Sequence, residues 1–226
     1  EQLRIARKQE NISLSKQRAD HLITIAPSNN KALRHYFGVY RNEMALAKLN
    51  AAYELDKSDI SKAILVSEAM VSLEQLEQAE KLLVSKADSD KLPKRYWQVL
   101  LFTYKKQNNG EKVQQTLEKW LKTNPYHIEA VVLLTDLYAG QRDYERALTV
   151  IKRGLENHND NLVLQLIEMQ ILLNSKQILP AKNLYKTLAL KDINDALKQG
   201  MLGRILLLEE KYVQAIPKLN KLYTAY

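Results

Sequence analysis

Apolar positions recur along this chain at a step of 34 residues, with Ala79, Val113, Ala147, Ala181 and Ala215 in register. The same step links Val66, Leu100, Leu134, Glu168 and Leu202. It also links Met70, Tyr104, Tyr138, Leu172 and Leu206, and again Leu83, Leu117, Ile151, Tyr185 and Leu219. Only Glu168 is polar among them. Within each repeat, apolar residues fall about one helical turn apart, first over one stretch and then over a second. Each repeat is therefore predicted to hold two amphipathic helices. Self-similarity at a fixed period sets the fold ahead of any single element.

Upstream the register loosens. Leu33, Tyr36, Phe37 and Tyr40 read as a first helix, and Ala45, Leu49 and Ala52 as a second. Tyr40 to Ala45 is 5 residues where later repeats have 9, so this pair is expected to have lost about one turn. Before it, Ser15, Ala19 and Leu22, ending at Pro27, fit another second helix, whose partner is expected over Leu3 to Asn11. The predicted organisation is one solenoid over 1–226. Its units are 1–27 (degenerate), 28–59 (shortened), 60–93, 94–127, 128–161, 162–195 and 196–226 (incomplete or uncapped).

The unit from Lys94 carries Trp97, Leu100, Tyr104 and Pro125, and the unit from Ile128 carries Leu134, Tyr138, Ala147 and Gly154. These residues and their spacing resemble the tetratricopeptide repeat (TPR) family. The resemblance implies an all-α, right-handed α-solenoid (superhelix) of stacked helix-turn-helix units, with a concave groove lined by first helices. It also marks departures. Trp120 stands where the family prefers Ala, and Val113 and Leu101 are larger than usual, so the helices of that unit are expected to be splayed or offset. Pro217 lies inside a second helix and predicts a kink near Val213, whereas Pro180 sits near a helix start. No polar capping helix follows the last unit. The expectation is either a longer natural chain or self-association through that end.

The resemblance further implies which places face the groove. In the unit from Lys94 they are Arg95, Gln98, Phe102, Lys105 and Lys106; Asp136, Gln170 and Arg204 follow in later units. The implied function is a non-catalytic scaffold that binds a peptide or protein, with Phe102 gripping it and Lys105, Lys106 and Arg204 meeting acidic groups. A plainer reading has Glu129 and Asp136 neutralising the basic residues one unit away. The ninth places read Glu68, Phe102, Asp136, Gln170 and Arg204, which is not the Lys and Asn set of family members that clamp chaperone carboxyl termini.

Composition narrows the chemistry. Lys and Arg number 34 against 26 Asp and Glu, giving +8, but the charges are spread without a long block. With no Cys, disulfides, thiolate catalysis and Cys-based zinc sites are excluded. His21, His35, His127 and His158 lie far apart in sequence and read as surface or capping residues. Asn108-Asn109-Gly110 reads as a turn, Gly200-Met201-Leu202-Gly203 as part of a helix, and Glu209-Glu210 as first-turn acids. No apolar run approaches the ~20 residues of a membrane helix. No catalytic residue, metal or cofactor is predicted, so the chain does not read as an enzyme.

Two other readings stand beside the scaffold. Lys91 to Trp97 mixes basic and aromatic residues as single-strand nucleic-acid binders do, although Trp97 is a repeat-framework position and disfavours that use. The loosely kept pattern, abundant Asn and Lys, and lack of Cys are similar to bacterial TPR proteins of exopolysaccharide assembly, including lipoproteins linked to PEP-CTERM sorting. That resemblance implies a periplasmic or envelope-associated setting. The chain begins at Glu1 without Met, and a leader or anchor is expected upstream.

Overall fold

The computed structural model describes residues 2–89 and 91–224, with side chains from residue 11 onward. Among the described residues the only regular structure is α-helix, in thirteen segments. The chain folds as an α-solenoid of helix-turn-helix repeats and divides into two compact units, Glu1–Thr116 and Leu117–Tyr226. The first holds α1 (Gln2–Ile25), α2 (Asn30–Tyr40), α3 (Glu43–Glu54), α4 (Ile60–Ser72), α5 (Leu76–Val84) and α6 (Lys94–Lys106). Helix α7 (Gly110–Thr123) crosses the boundary. The second adds α8 (Ile128–Gly140), α9 (Tyr144–Asn157), α10 (Leu162–Asn174), α11 (Ile178–Ala189), α12 (Asp195–Leu208) and α13 (Tyr212–Tyr223).

Side-chain caps start many of these helices. Asn29, Asn42, Asp59, Asn109, Asp143, Asn161 and Asn194 each accept a backbone N–H from the first turn that follows. Each such cap is worth about 1 kcal/mol because it satisfies a donor with no partner inside the helix.

The first helices end in a repeated backbone device. Glu74 (φ 61), Asn108 (φ 54), Arg142 (φ 60), Lys176 (φ 57) and Glu210 (φ 61) all take the left-handed conformation, each 34 residues after the last. The N–H of the following residue then reaches back to the carbonyl five residues earlier, inside the helix. The bonds Gln75 to Met70, Asn109 to Tyr104, Asp143 to Tyr138, Gln177 to Leu172 and Lys211 to Leu206 are all 2.9 Å. This closure satisfies helix carbonyls that would otherwise lack donors. It holds four residues that are neither Gly nor Asn in a conformation costing roughly 1–2 kcal/mol. Arg41 (φ 44) closes α2 through a 2.8 Å bond to Phe37, one residue out of the 34-residue step.

Packing follows the repeat. Ala79, Ala147, Ala181 and Ala215 are fully buried, and Val113 is 6% exposed. Small side chains there let the second helix of a pair lie close to the first. Gly200 and Gly203 do the same on α12: a Cβ at Gly200 would lie 2.7 Å from Leu222 Cδ2, and one at Gly203 would lie 2.8 Å from Leu219 Cγ. Glu168 is the polar exception. Burial raises its carboxyl pKa, with Lys152 opposing.

Several expectations are corrected. Residues 2–25 form one continuous helix where a helix pair was expected. No Gly or Pro interrupts that stretch, and Ser15 bonds back to the Asn11 carbonyl at 2.8 Å within the helix. Glu209 and Glu210 lie between α12 and α13, so they are not first-turn acids; Glu209 instead receives Lys182 Nζ at 2.5 Å and Lys211 Nζ at 2.8 Å. Pro217 does lie inside a second helix, α13, which runs from Tyr212 to Tyr223.

Candidate functional site

In the amino-terminal unit the first helices α2, α4 and α6 bring a charged ladder together. Glu68 accepts Arg34 Nη1 at 2.8 Å on one carboxylate oxygen and Arg95 Nε at 2.5 Å on the other. Its own side chain is only 17% exposed, so the two guanidinium groups share one sheltered acid. The acid that engages Arg95 is therefore Glu68, contributed by the preceding repeat. Lys106 pairs with Glu74 and lies 5.9 Å from the Phe102 ring centre. Phe102 is 53% exposed and lies one turn before the end of α6, near Lys105 and Lys106. Lys105 is exposed and forms no ion pair among the described residues, and Gln98 is half-buried. An open hollow of about 410 Å³ lies beside the ladder, between α2 and α4, and is lined in part by Arg34, Gly38, Arg41 and Glu68.

The carboxyl-terminal unit carries a different face. Arg204 on α12 donates from Nη1 to Gln170 Oε1 at 2.7 Å and from Nη2 to Asn174 Oδ1 at 2.8 Å. Gln170 Nε2 in turn donates to the same Asn174 oxygen at 3.3 Å. Two neutral amides thus hold the guanidinium in place. Among the described residues no carboxylate pairs with it. Loss of surrounding water holds its pKa below the ordinary guanidinium value. Asp136 on α8 has its carboxyl pKa raised by the same loss of water.

The structure thus brings Gln170 and Arg204 into contact, and Phe102 beside Lys106. Arg34, Glu74 and the bridging position of Glu68 were not singled out as site residues from sequence. One signal was available for Arg34, which stands 34 residues before Glu68 and so at the same repeat place.

Other candidate chemistry resolves into framework. Tyr96 and Trp97 are 1% and 2% exposed and meet edge to face at 5.2 Å, so neither offers a ring for base stacking. Tyr104 and Tyr138 are buried, as their repeat place predicts. Burial, with Glu80 adding to it, pushes the Tyr104 hydroxyl up to about 12. His127 packs its ring on Trp120 at 4.4 Å, and His158 Nε2 lies 2.8 Å from the Tyr126 carbonyl. No group of three or more His, Asp or Glu among the described residues is placed to hold a metal ion. No helix among them is long and apolar enough to cross a membrane.

The fold is an α-solenoid of helix-turn-helix repeats of the kind seen in TPR proteins. Solved structures of TPR proteins share the fold. One is YrrB, described as a TPR protein with an unusual peptide-binding site, at 17% identity and TM-score 0.59, covering 77% of this chain and 90% of that one. A second is PilF of Pseudomonas aeruginosa, at 16% identity and TM-score 0.53, covering 80% and 84%. A third is MamA (MSR-1), at 18% identity and TM-score 0.52, covering 78% and 96%. No protein-family model and no curated protein matches the sequence.

Proposed function

We propose that the chain is a non-catalytic scaffold that holds a protein partner against the faces of its first helices, and that acidic peptide segments are the preferred contacts. The observation that carries this reading is the unneutralised Arg204, fixed by Gln170 and Asn174 and partly withdrawn from water. A cation held in that way gains most from a carboxylate brought by another molecule, since its desolvation is already in place. In the amino-terminal unit, Phe102 supplies an exposed anchor, with Arg95, Gln98, Lys105 and Lys106 as its polar surround. Asp136 belongs to the same reading as a hydrogen-bonding place on α8.

YrrB is described as having a peptide-binding site, and its fold likeness supports a binding role. Tyr212, Val213 and Ile216, all exposed on α13, support self-association at that end. The envelope and exopolysaccharide setting rests on compositional likeness.

The test is an array of short peptides probed with the purified chain. Wild type is expected to favour acidic sequences. Arg204→Glu is expected to lose roughly tenfold or more of that signal, the scale of a charge-assisted contact, with the helical circular-dichroism spectrum retained. An Arg204→Glu profile identical to wild type would remove the reading.

A further inference from the structure

The carboxyl-terminal unit contains a second recess, on the side carried by second helices. It lies between the end of α7 and the middle of α9, over α8, and encloses about 400 Å³. Leu121, Pro125, Val131, Leu134 and Val150 give it an apolar lining.

One lining residue, Gly154, is small where its repeat equivalents are large. The residues 34 before and 34 after Gly154 are Trp120 and Leu188, which are 1% and 0% exposed. Gly154 brings no side chain to the place those two fill. A Cβ there would lie 2.6 Å from Val131 Cγ1, so α8 and α9 close tightly at that point, beside the recess that both line.

The charges around the mouth are uneven. Glu118 accepts the Tyr138 hydroxyl at 2.6 Å, and the same ring lies 4.6 Å from the Arg146 guanidinium. Lys122 and Arg153 also border the recess, both exposed, and form no ion pair among the described residues. An apolar hollow with two uncommitted cations at its mouth complements one occupant best. That occupant is a peptide segment that buries a bulky apolar side chain and sets a carboxylate beside it. The volume is near the low end for enclosed ligand sites, enough for one or two side chains.

The geometry points to the α7–α9 recess as a docking site for an apolar-acidic peptide segment of a partner protein, separate from the Arg204 face. It therefore stands or falls independently of the first-helix reading. The probe is the peptide acetyl-Leu-Phe-Asp-Glu-amide, titrated into the full chain labelled with nitrogen-15 and followed by two-dimensional NMR. Amide signals of Val131, Leu134 and Gly154 are expected to shift. The Asn/Gln form of the peptide is expected to bind about fivefold more weakly, the scale of one or two exposed ion pairs. Thr149→Trp, a change at an exposed residue on the rim, is expected to abolish the shifts while leaving the rest of the spectrum in place. Lys122→Glu with Arg153→Glu is expected to weaken the acidic peptide and spare the neutral one.

Three outcomes would overturn the assignment. They are no shift at these residues, equal binding of both peptides, or saturable binding of decanoate at the recess with none of either peptide.

Discussion

Trp120→Ala is expected to destabilise the protein by about 4 kcal/mol, the range for deleting a fully buried Trp. The side chain is 1% exposed and packs against the tilted His127 ring, with ring centres 4.4 Å apart. Truncation removes that ring contact and leaves a cavity that helices held by turns at both ends have little freedom to close. Urea unfolding followed by circular dichroism measures the cost. Leu190→Ala is the control, because Leu190 is 90% exposed, and its effect is expected to stay within about 0.5 kcal/mol. Similar midpoints for the two variants would mean that Trp120 is not a core residue.

Gly203→Val is expected to cost about 3 kcal/mol, at the upper end for overpacking a tight contact. The decisive neighbour is backbone: a Cβ at Gly203 would lie 3.2 Å from the Leu219 nitrogen as well as 2.8 Å from its Cγ. At Gly200 the atoms in the way are the movable ends of Leu222. Gly200→Ala is therefore expected to fall within about 1 kcal/mol of wild type, since Ala also favours the helix by that amount over Gly. Thermal melts of the two variants should separate clearly. Equal melts would contradict the close approach of α12 and α13.

The framework was legible because packing leaves its mark on residue type. Ala147 and its equivalents 34 residues apart are small where two helices touch, and Leu83, Leu117 and Ile151 are large where they fill the core. The turns were less legible. Glu74, Arg142, Lys176 and Glu210 adopt a left-handed conformation that none of these residue types favours. There the hydrogen-bond closure at the helix end sets the backbone, and the side chain is free to vary. Residues 2–25 read as two helices because a pattern of apolar spacing does not distinguish a long helix from a pair when no turn residue decides.

The site was legible only in part. Gln170 and Arg204 share a repeat place, so their proximity follows from the period. Which acid meets Arg95 depends on side-chain reach across repeats, and Glu68 takes both it and Arg34. The α7–α9 recess could not be read from Gly154 alone, because Gly at a packing position reads equally as a close approach. The contrast with Trp120 and Leu188 at the equivalent places, seen beside the open volume, gives it meaning.

A helix hairpin recurs every 34 residues with one shared turn geometry. The most direct test is solution NMR of the backbone at Glu74, Asn108, Arg142, Lys176 and Glu210, reading the coupling between amide and α protons and the strength of their short-range Overhauser contact. The left-handed signature is expected at all five positions, with the amide protons of Gln75, Asn109, Asp143, Gln177 and Lys211 protected from exchange. Helical values at these positions, or rapid exchange at the residues that follow them, would rule out the shared turn.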